Sequence, residues 1–140
     1  MTFVPLKIVG KCVADDETLF THMENAVARG YPQITKQSEA KGGAIALVAS
    51  GPSVASQIDV IKKMQADGVK IVAIKDAHDW LLTQGVVPDY ALAIDPQEHR
   101  ISFYTPHKGV EYMIASQCHK AMFDNLEGYK VTIWHPYVME

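Results

Sequence analysis

A length of 140 residues, a hydrophobic share of 48%, a formal net charge of −3 and a pI near 6.0 describe one domain of ordinary size. Such a chain buries about two thirds of its unfolded surface and folds by its core, without disulfides or a structural metal. Lys and Arg are scattered rather than striped, which excludes the electrostatic footprint of a nucleic-acid or membrane-surface binder.

Cys12 and Cys118 have no CxxC spacing and read as free thiols in a reducing compartment. No apolar run approaches the ~18 residues of a membrane span. Pro5, Lys7 and Lys11 interrupt the apolar residues ahead of Asp15-Asp16-Glu17, which is wrong for a secretory h-region, and Lys11 before Cys12 argues against a lipoprotein site. The expectation is a cytoplasmic protein.

In chain order, Leu19, Phe20, Met23, Ala26 and Val27 recur at helical spacing, with Asp15 or Asp16 to cap the start and Gly30 to close the end. From Tyr31 to Gly43 the periodicity vanishes into a polar stretch with Pro32 and Gly42-Gly43. Residues 1–43 therefore read as an N-terminal helical appendage and connector, and 44–140 as the main domain. That domain opens on the apolar strand Ile45-Ala46-Leu47-Val48, which runs through Ala49 into Ser50-Gly51-Pro52-Ser53. Val54, Ile58, Ile61 and Met64 then form one helical face ending near Gly68.

Val69 to Ile74 is a second strand, apolar and β-branched apart from Lys70. Asp76 can cap a short helix carrying Trp80 and Leu81, which Gly85 can end. Tyr90 to Ile94 is a third strand closed by Asp95-Pro96, and a poorly patterned segment with Pro106 and Gly109 leads to a fourth, Glu111 to Ala115. A short helix around Ala121 to Leu126, a turn at Gly128 and a fifth strand from Lys130 to Trp134 complete the count. This alternation predicts an α/β fold, doubly wound, whose mainly parallel five-stranded sheet carries helices on both faces.

In such a sheet the ligand crevice lies beyond the carboxyl ends of the strands, where strand order reverses. The residues there are Ser50 and Gly51, Lys75 and Asp76, Asp95, Ser116 and Gln117, and His135. Gly51 lets backbone amides approach a ligand, and the hydroxyls of Ser50 and Ser53 fall at the positive end of the next helix, where phosphate binds readily. Asp76 and Asp95 near a phosphate turn suit Mg²⁺, which commonly binds one or two carboxylates plus substrate phosphates. Each has a plainer reading, Asp76 as a helix cap and Asp95 before Pro96 as a turn residue. Asp89 reads as a turn former at the opposite end of the sheet and is left out of the site. Cys118-His119 does not read as a nucleophile and base, because adjacent residues at a helix start point apart. The six histidines show no zinc spacing. Trp80 and Trp134 read as core or interface anchors rather than base platforms.

These elements together resemble a known family. Ser50-Gly51-Pro52-Ser53 after a strand, Ala73-Ile74-Lys75-Asp76, Leu81 through Gly85-Val86-Val87-Pro88-Asp89-Tyr90, and Ala93-Ile94-Asp95-Pro96 are similar to the Rossmann-like family of archaeal hydroxymethylpterin pyrophosphokinases and bacterial motility accessory factor glycosyltransferases. The likeness runs from Ala44 to Asp95, and Ala49 stands where that family often has a first glycine. It implies a nucleotide-phosphate loop at Ser50, Gly51, Pro52 and Ser53, with Asp76 and Asp95 facing the same crevice. Ser116 and Gln117, beyond the likeness, join the expected nucleotide-binding residues by position. Family members extend well past a fifth strand, so a truncated or minimal member is expected.

Two classes of function follow. One is a transferase using a nucleotide co-substrate: a Mg²⁺-dependent diphosphate transfer from ATP to a small hydroxylated acceptor, or a sialyltransferase-like sugar transfer from a cytidine nucleotide. The other is a binding or assembly module that keeps the Rossmann-like core without the chemistry, with Trp134, Tyr137 and Val138 packing against a partner or, as a homo-oligomer, a second copy.

Overall fold

The computed structural model describes residues 13–36, 39 and 41–136. Cys12 and the apolar Tyr137-Val138-Met139 lie outside the described residues. Helix α1 (Asp16–Ala28) is followed by β1 (Ile45–Val48), a 3₁₀ turn (Val54–Gln57), α2 (Ile58–Ala66), β2 (Lys70–Ile74), α3 (Ala77–Thr83) and β3 (Tyr90–Ala93). A second 3₁₀ segment (Glu98–Phe103), β4 (Glu111–Ala115), α4 (Lys120–Asn125) and β5 (Lys130–Trp134) complete the fold. The five strands form one all-parallel sheet, so the α/β class and the strand count are as the alternation predicts. The 3₁₀ segment at Glu98–Phe103 occupies what reads in the sequence as unpatterned chain.

The winding departs from expectation. Strand order is β1-β2-β3-β4-β5, with no reversal among these five strands. Right-handed crossovers that always step the same way bring each connecting helix to the same face. Packing agrees. The cross-strand row Val48, Ala73, Ala91, Tyr112 and Val131 is buried, and both core clusters use this parity of residues against Ile61, Ala77 and Leu81 at one end and Met122 and Phe123 at the other. The opposite row reads Leu47, Val72, Tyr90, Glu111 and Lys130, with Leu47 63% exposed. Helices on both faces are thus corrected to helices on one.

The alanines of the buried row have a reason. Ala73 and Ala91 leave room for α3 to approach through Ala77 and Leu81, and for the large rings of Tyr104 and Tyr112 to fill the centre. Gly85 ends α3 in the left-handed region at φ 77°, where a Cβ is strained, and Val86 N–H closes the turn on the Leu81 carbonyl.

The helix expected as an appendage is joined to this core. Asp15 caps α1 by accepting from Thr18 N–H at 2.8 Å, Ala26 is fully buried with the β4 and β5 residues, and Arg29 bonds Asp124 of α4 at 2.6 Å. The chain then runs beside β5. Ile34 N–H donates to the Ile133 carbonyl and Ile133 N–H to that of Pro32, both at 2.8 Å, which covers the β5 edge. Among the described residues, β1 forms the other, unpaired edge.

One buried polar chain ties α3 to β4. His78 is fully buried; Nδ1 lies 2.6 Å from Asp79 Oδ1 and Nε2 lies 3.0 Å from the Tyr112 hydroxyl, which accepts from His107 N–H at 2.8 Å. Asp79 also accepts from the Thr105 amide and hydroxyl. A neutral ring satisfies every partner when Nδ1–H donates to Asp79 and Nε2 accepts from Tyr112. Burial holds the His78 pKa below its ordinary 6.5 against the upward pull of Asp79. A depressed histidine leaves stability intact above pH 6.5 and removes it as pH falls, because the unfolded chain takes up a proton that the folded one refuses. Thermal unfolding between pH 7.5 and 5 should therefore show the midpoint falling below about pH 6.5. His78→Gln should lower stability at pH 7.5 by about 1–3 kcal/mol and flatten that slope; an unchanged slope in the variant would assign it elsewhere.

Candidate functional site

The loop after β1 closes on itself. Gly51 N–H donates to the Ala49 carbonyl at 2.9 Å, Val54 N–H donates to the Gly51 carbonyl at 3.0 Å, and Pro52 has no N–H. The amides of Gly51 and Val54 are therefore spent inside the turn. Donors left without a partner among the described residues are the amides and hydroxyls of both Ser50 and Ser53. Ser53 sits at the start of the 3₁₀ turn but makes no side-chain capping bond, which leaves its hydroxyl free.

Gly51 is not held to glycine by its own backbone. Its φ lies outside the left-handed region, and an added Cβ would meet nothing nearer than Ser53 Oγ at 3.8 Å. The fold itself therefore does not require glycine at this position. What glycine preserves here is open space on the loop.

The loop forms one side of a cleft of about 350 Å³ together with α3. Ser50, Gly51, Pro52 and Val54 line it from the β1 side, and Asp76, Ala77 and Trp80 from the β2 side. Asp76 precedes α3 yet makes no side-chain capping bond, and its exposed carboxylate has no partner among the described residues. The plain reading of Asp76 as a cap accordingly fails. Ser53 lines a neighbouring groove along the β1 edge with Leu47, Val60 and Met64.

Lys75, named in the sequence only as a strand-end residue, sets this geometry through its backbone. Its φ of 56° is the one left-handed value at a non-glycine among the described residues. Such a conformation costs roughly 1 kcal/mol or more for an L-residue and persists where the surroundings hold it. Here the Lys75 amide donates to the Tyr104 hydroxyl at 3.2 Å and its carbonyl accepts from His78 N–H at 3.1 Å. The reversal sends Asp76 to the first cleft and Lys75 to a second. The available signal was the two-residue gap between a strand ending at Ile74 and a helix starting at Ala77.

Asp95 lines that second pocket, a narrow one of about 40 Å³ with Leu92, Phe103 and Tyr104. Its Oδ2 pairs with Arg100 Nε at 2.9 Å and its Oδ1 accepts from Gln97 N–H at 3.0 Å. Both oxygens are thus engaged within the chain, and Arg100 also bonds the Gln97 side chain at 3.1 Å. Asp76 and Asp95 do not line one cavity, and among the described residues no group of three acidic, His or Cys side chains is placed to hold a metal.

Ser116 and Gln117 serve the fold at the end of β4. Ser116 is fully buried with its hydroxyl 3.0 Å from His135 Nδ1, and Gln117 donates from Nε2 to the Ile94 carbonyl at 2.8 Å. Cys118 is buried, and desolvation pushes its thiol up to about 12, which rules out a thiolate near neutral pH. His119 instead caps α4, accepting from Ala121 N–H at 3.2 Å. Asp89 locks the amino end of the sheet by accepting from the Ile71 amide at 2.9 Å and Lys70 at 3.3 Å.

A parallel sheet with a cleft beyond the carboxyl ends of its first two strands defines a Rossmann-like domain. The same fold occurs in the MAf glycosyltransferase from Magnetospirillum magneticum AMB-1, with a TM-score of 0.67 and 19% identity over 89% of this chain. That alignment spans 20% of the glycosyltransferase chain, so the present chain matches one part of a much longer protein. Residues 19–139 match the family described as 6-hydroxymethylpterin diphosphokinase MptE-like, and the chain belongs to that family. No curated protein matches it.

Gly51→Ala tests whether glycine at the loop serves the fold or the space in front of it. Its stability should stay within about 1 kcal/mol of the parent, because neither φ nor a close neighbour opposes the methyl group. Chemical denaturation measures this, and a loss beyond about 2 kcal/mol would return glycine to a structural role.

Proposed function

We propose that the β1–β2 cleft binds a nucleotide through its phosphates and that the domain serves a transferase, moving a diphosphate from ATP to a small hydroxylated acceptor. The observation that carries this reading is the convergence of the Ser50-Gly51-Pro52 loop and the unpaired Asp76 carboxylate on one cleft. Family membership supports it.

In the reaction the acceptor hydroxyl oxygen attacks the β-phosphorus of ATP. The bond from that phosphorus to the α,β-bridging oxygen breaks, AMP leaves, and the acceptor's proton passes to solvent or a base. Catalysis of this kind rests on orientation and charge neutralisation. The Ser50 hydroxyl would hold phosphate oxygens in the cleft, and the free donors of Ser53, which lines the neighbouring groove, would serve phosphate only from that side of the loop. Mg²⁺ would neutralise phosphate charge. The donor set fits an ion held chiefly by phosphate oxygens and water, with Asp76 as its protein carboxylate, and does not fit a cage of several side chains. Asp95, neutralised by Arg100, is assigned to the neighbouring wall rather than to the ion.

A second reading has its own support. The fold shared with a glycosyltransferase, and a cleft lined by a single carboxylate, also suit a cytidine nucleotide bound without metal.

Thermal unfolding against ATP, CTP and CMP, each with and without Mg²⁺, separates the two. A ligand at 100 times its dissociation constant adds about 2.7 kcal/mol. A shift with ATP that needs Mg²⁺, lost in Asp76→Asn, is the expected result. A metal-independent shift with CMP would favour sugar transfer, and no shift with any nucleotide would overturn nucleotide binding at this cleft.

A further inference from the structure

The β1–β2 cleft has an apolar side that phosphate binding does not use. Trp80 lies one helical turn beyond Asp76 on α3, and residues four apart on a helix share a face. Both line the cleft, together with the apolar side chains of Val54, Pro52 and Ala77. Trp80 is half-buried and packs on the core cluster of Ile71 and Leu81, which fixes one side of its ring. Its indole N–H has no partner among the described residues, and no buried side-chain nitrogen or oxygen there is left unsatisfied, so that N–H reaches solvent. The contrast with Trp134 is direct, since that indole donates to the Met113 carbonyl at 3.2 Å and is committed to the fold.

Resting on the reading above that phosphates sit at the Ser50-Gly51-Pro52 loop, we infer that Trp80 is the platform for the nucleobase, making this a nucleoside site rather than a phosphate site alone. A ring anchored on one side and open on the other can stack a flat heterocycle at little cost in side-chain entropy. Every nucleobase has a π-face, so Trp80 sets affinity for a base-bearing ligand, and purines, with more stacking area, gain most. Asp76 lines the same cleft as the loop and the ring.

Two probes on the intact chain separate this inference from its premise: ATP, and inorganic tripolyphosphate, both with Mg²⁺. In a Trp134→Phe background, emission reports Trp80 alone. The inference expects saturable quenching by ATP and none by tripolyphosphate. It also expects Trp80→Leu to weaken ATP binding by roughly 5- to 150-fold, with tripolyphosphate unaffected and Trp80→Phe keeping most of the ATP affinity. The fluorescence arm leaves Trp80 in place, so it decides even where Trp80→Leu fails to fold. Equal affinity for ATP and tripolyphosphate with unchanged emission would overturn the base platform and leave the phosphate loop standing. Absence of binding by either would overturn both.

Discussion

The cleft depends on the tie made by the Tyr104 hydroxyl. Buried to 2% exposure, Tyr104 donates to the Leu92 carbonyl at 2.9 Å and accepts from the Lys75 amide at 3.2 Å, so one oxygen joins the carboxyl ends of β2 and β3. Its own carbonyl accepts from Asn125 Nδ2 at 2.9 Å, which anchors the same residue to α4. Burial raises the phenol well above its usual value, so it remains a neutral donor across the physiological range. The left-handed turn at Lys75 rests on this bond. A strained backbone needs compensation from its surroundings, and here a residue that follows the second 3₁₀ segment supplies it from 29 positions away in sequence.

The direction of winding explains where the cleft lies. Doubly wound sheets open their crevice where neighbouring crossovers leave for opposite faces. In this chain the connections between β1 and β5 step one way, and the cleft forms instead between the loop leaving the edge strand β1 and the turn leaving β2. The edge position leaves it open on one side. It also leaves Ile45 and Leu47 at 65% and 63% exposure, an apolar surface on the face that the crossover helices do not cover.

Much of this was legible in the sequence, for identifiable reasons. β4 and β5 match their predicted limits because each is a short β-favouring run set off by glycine-containing turns, Gly109 before β4 and Gly128 before β5. The loop at Ser50–Pro52 and the carboxylate of Asp76 were legible because parallel strands place all their carboxyl ends on one side, so position in the strand suffices. The 3₁₀ segment at Glu98–Phe103 was not, since it carries no apolar period and is held by local bonds among Asp95, Gln97 and Arg100. The engagement of Ser116 by His135 was hidden too, because it joins residues 19 apart whose proximity only the β4–β5 pairing creates. Helices on both faces were inferred from alternation, which fixes the class of a fold but not the direction in which successive strands are added.

Charge distinguishes the two aspartates that look equivalent in the sequence. Asp95 meets a guanidinium and a backbone amide, so its charge is answered inside the fold, and no further cation is required there. Asp76 has no such partner among the described residues. A phosphate brought to the Ser50–Pro52 loop would share its cleft with that exposed carboxylate, and two like charges about 4 Å apart repel by about 1 kcal/mol in water and about 4 kcal/mol at an effective dielectric constant of 20. Even the lower figure approaches the roughly 1.4 kcal/mol that makes a tenfold difference in affinity. If the proposed nucleotide binds there, its affinity would be coupled to whatever answers Asp76, whether a divalent cation shared with the phosphates or the neutral hydroxyls of a ribose. On the proposed function, the carboxylate would select against bare anions and in favour of ligands that bring a cation or a hydroxyl-bearing sugar with them.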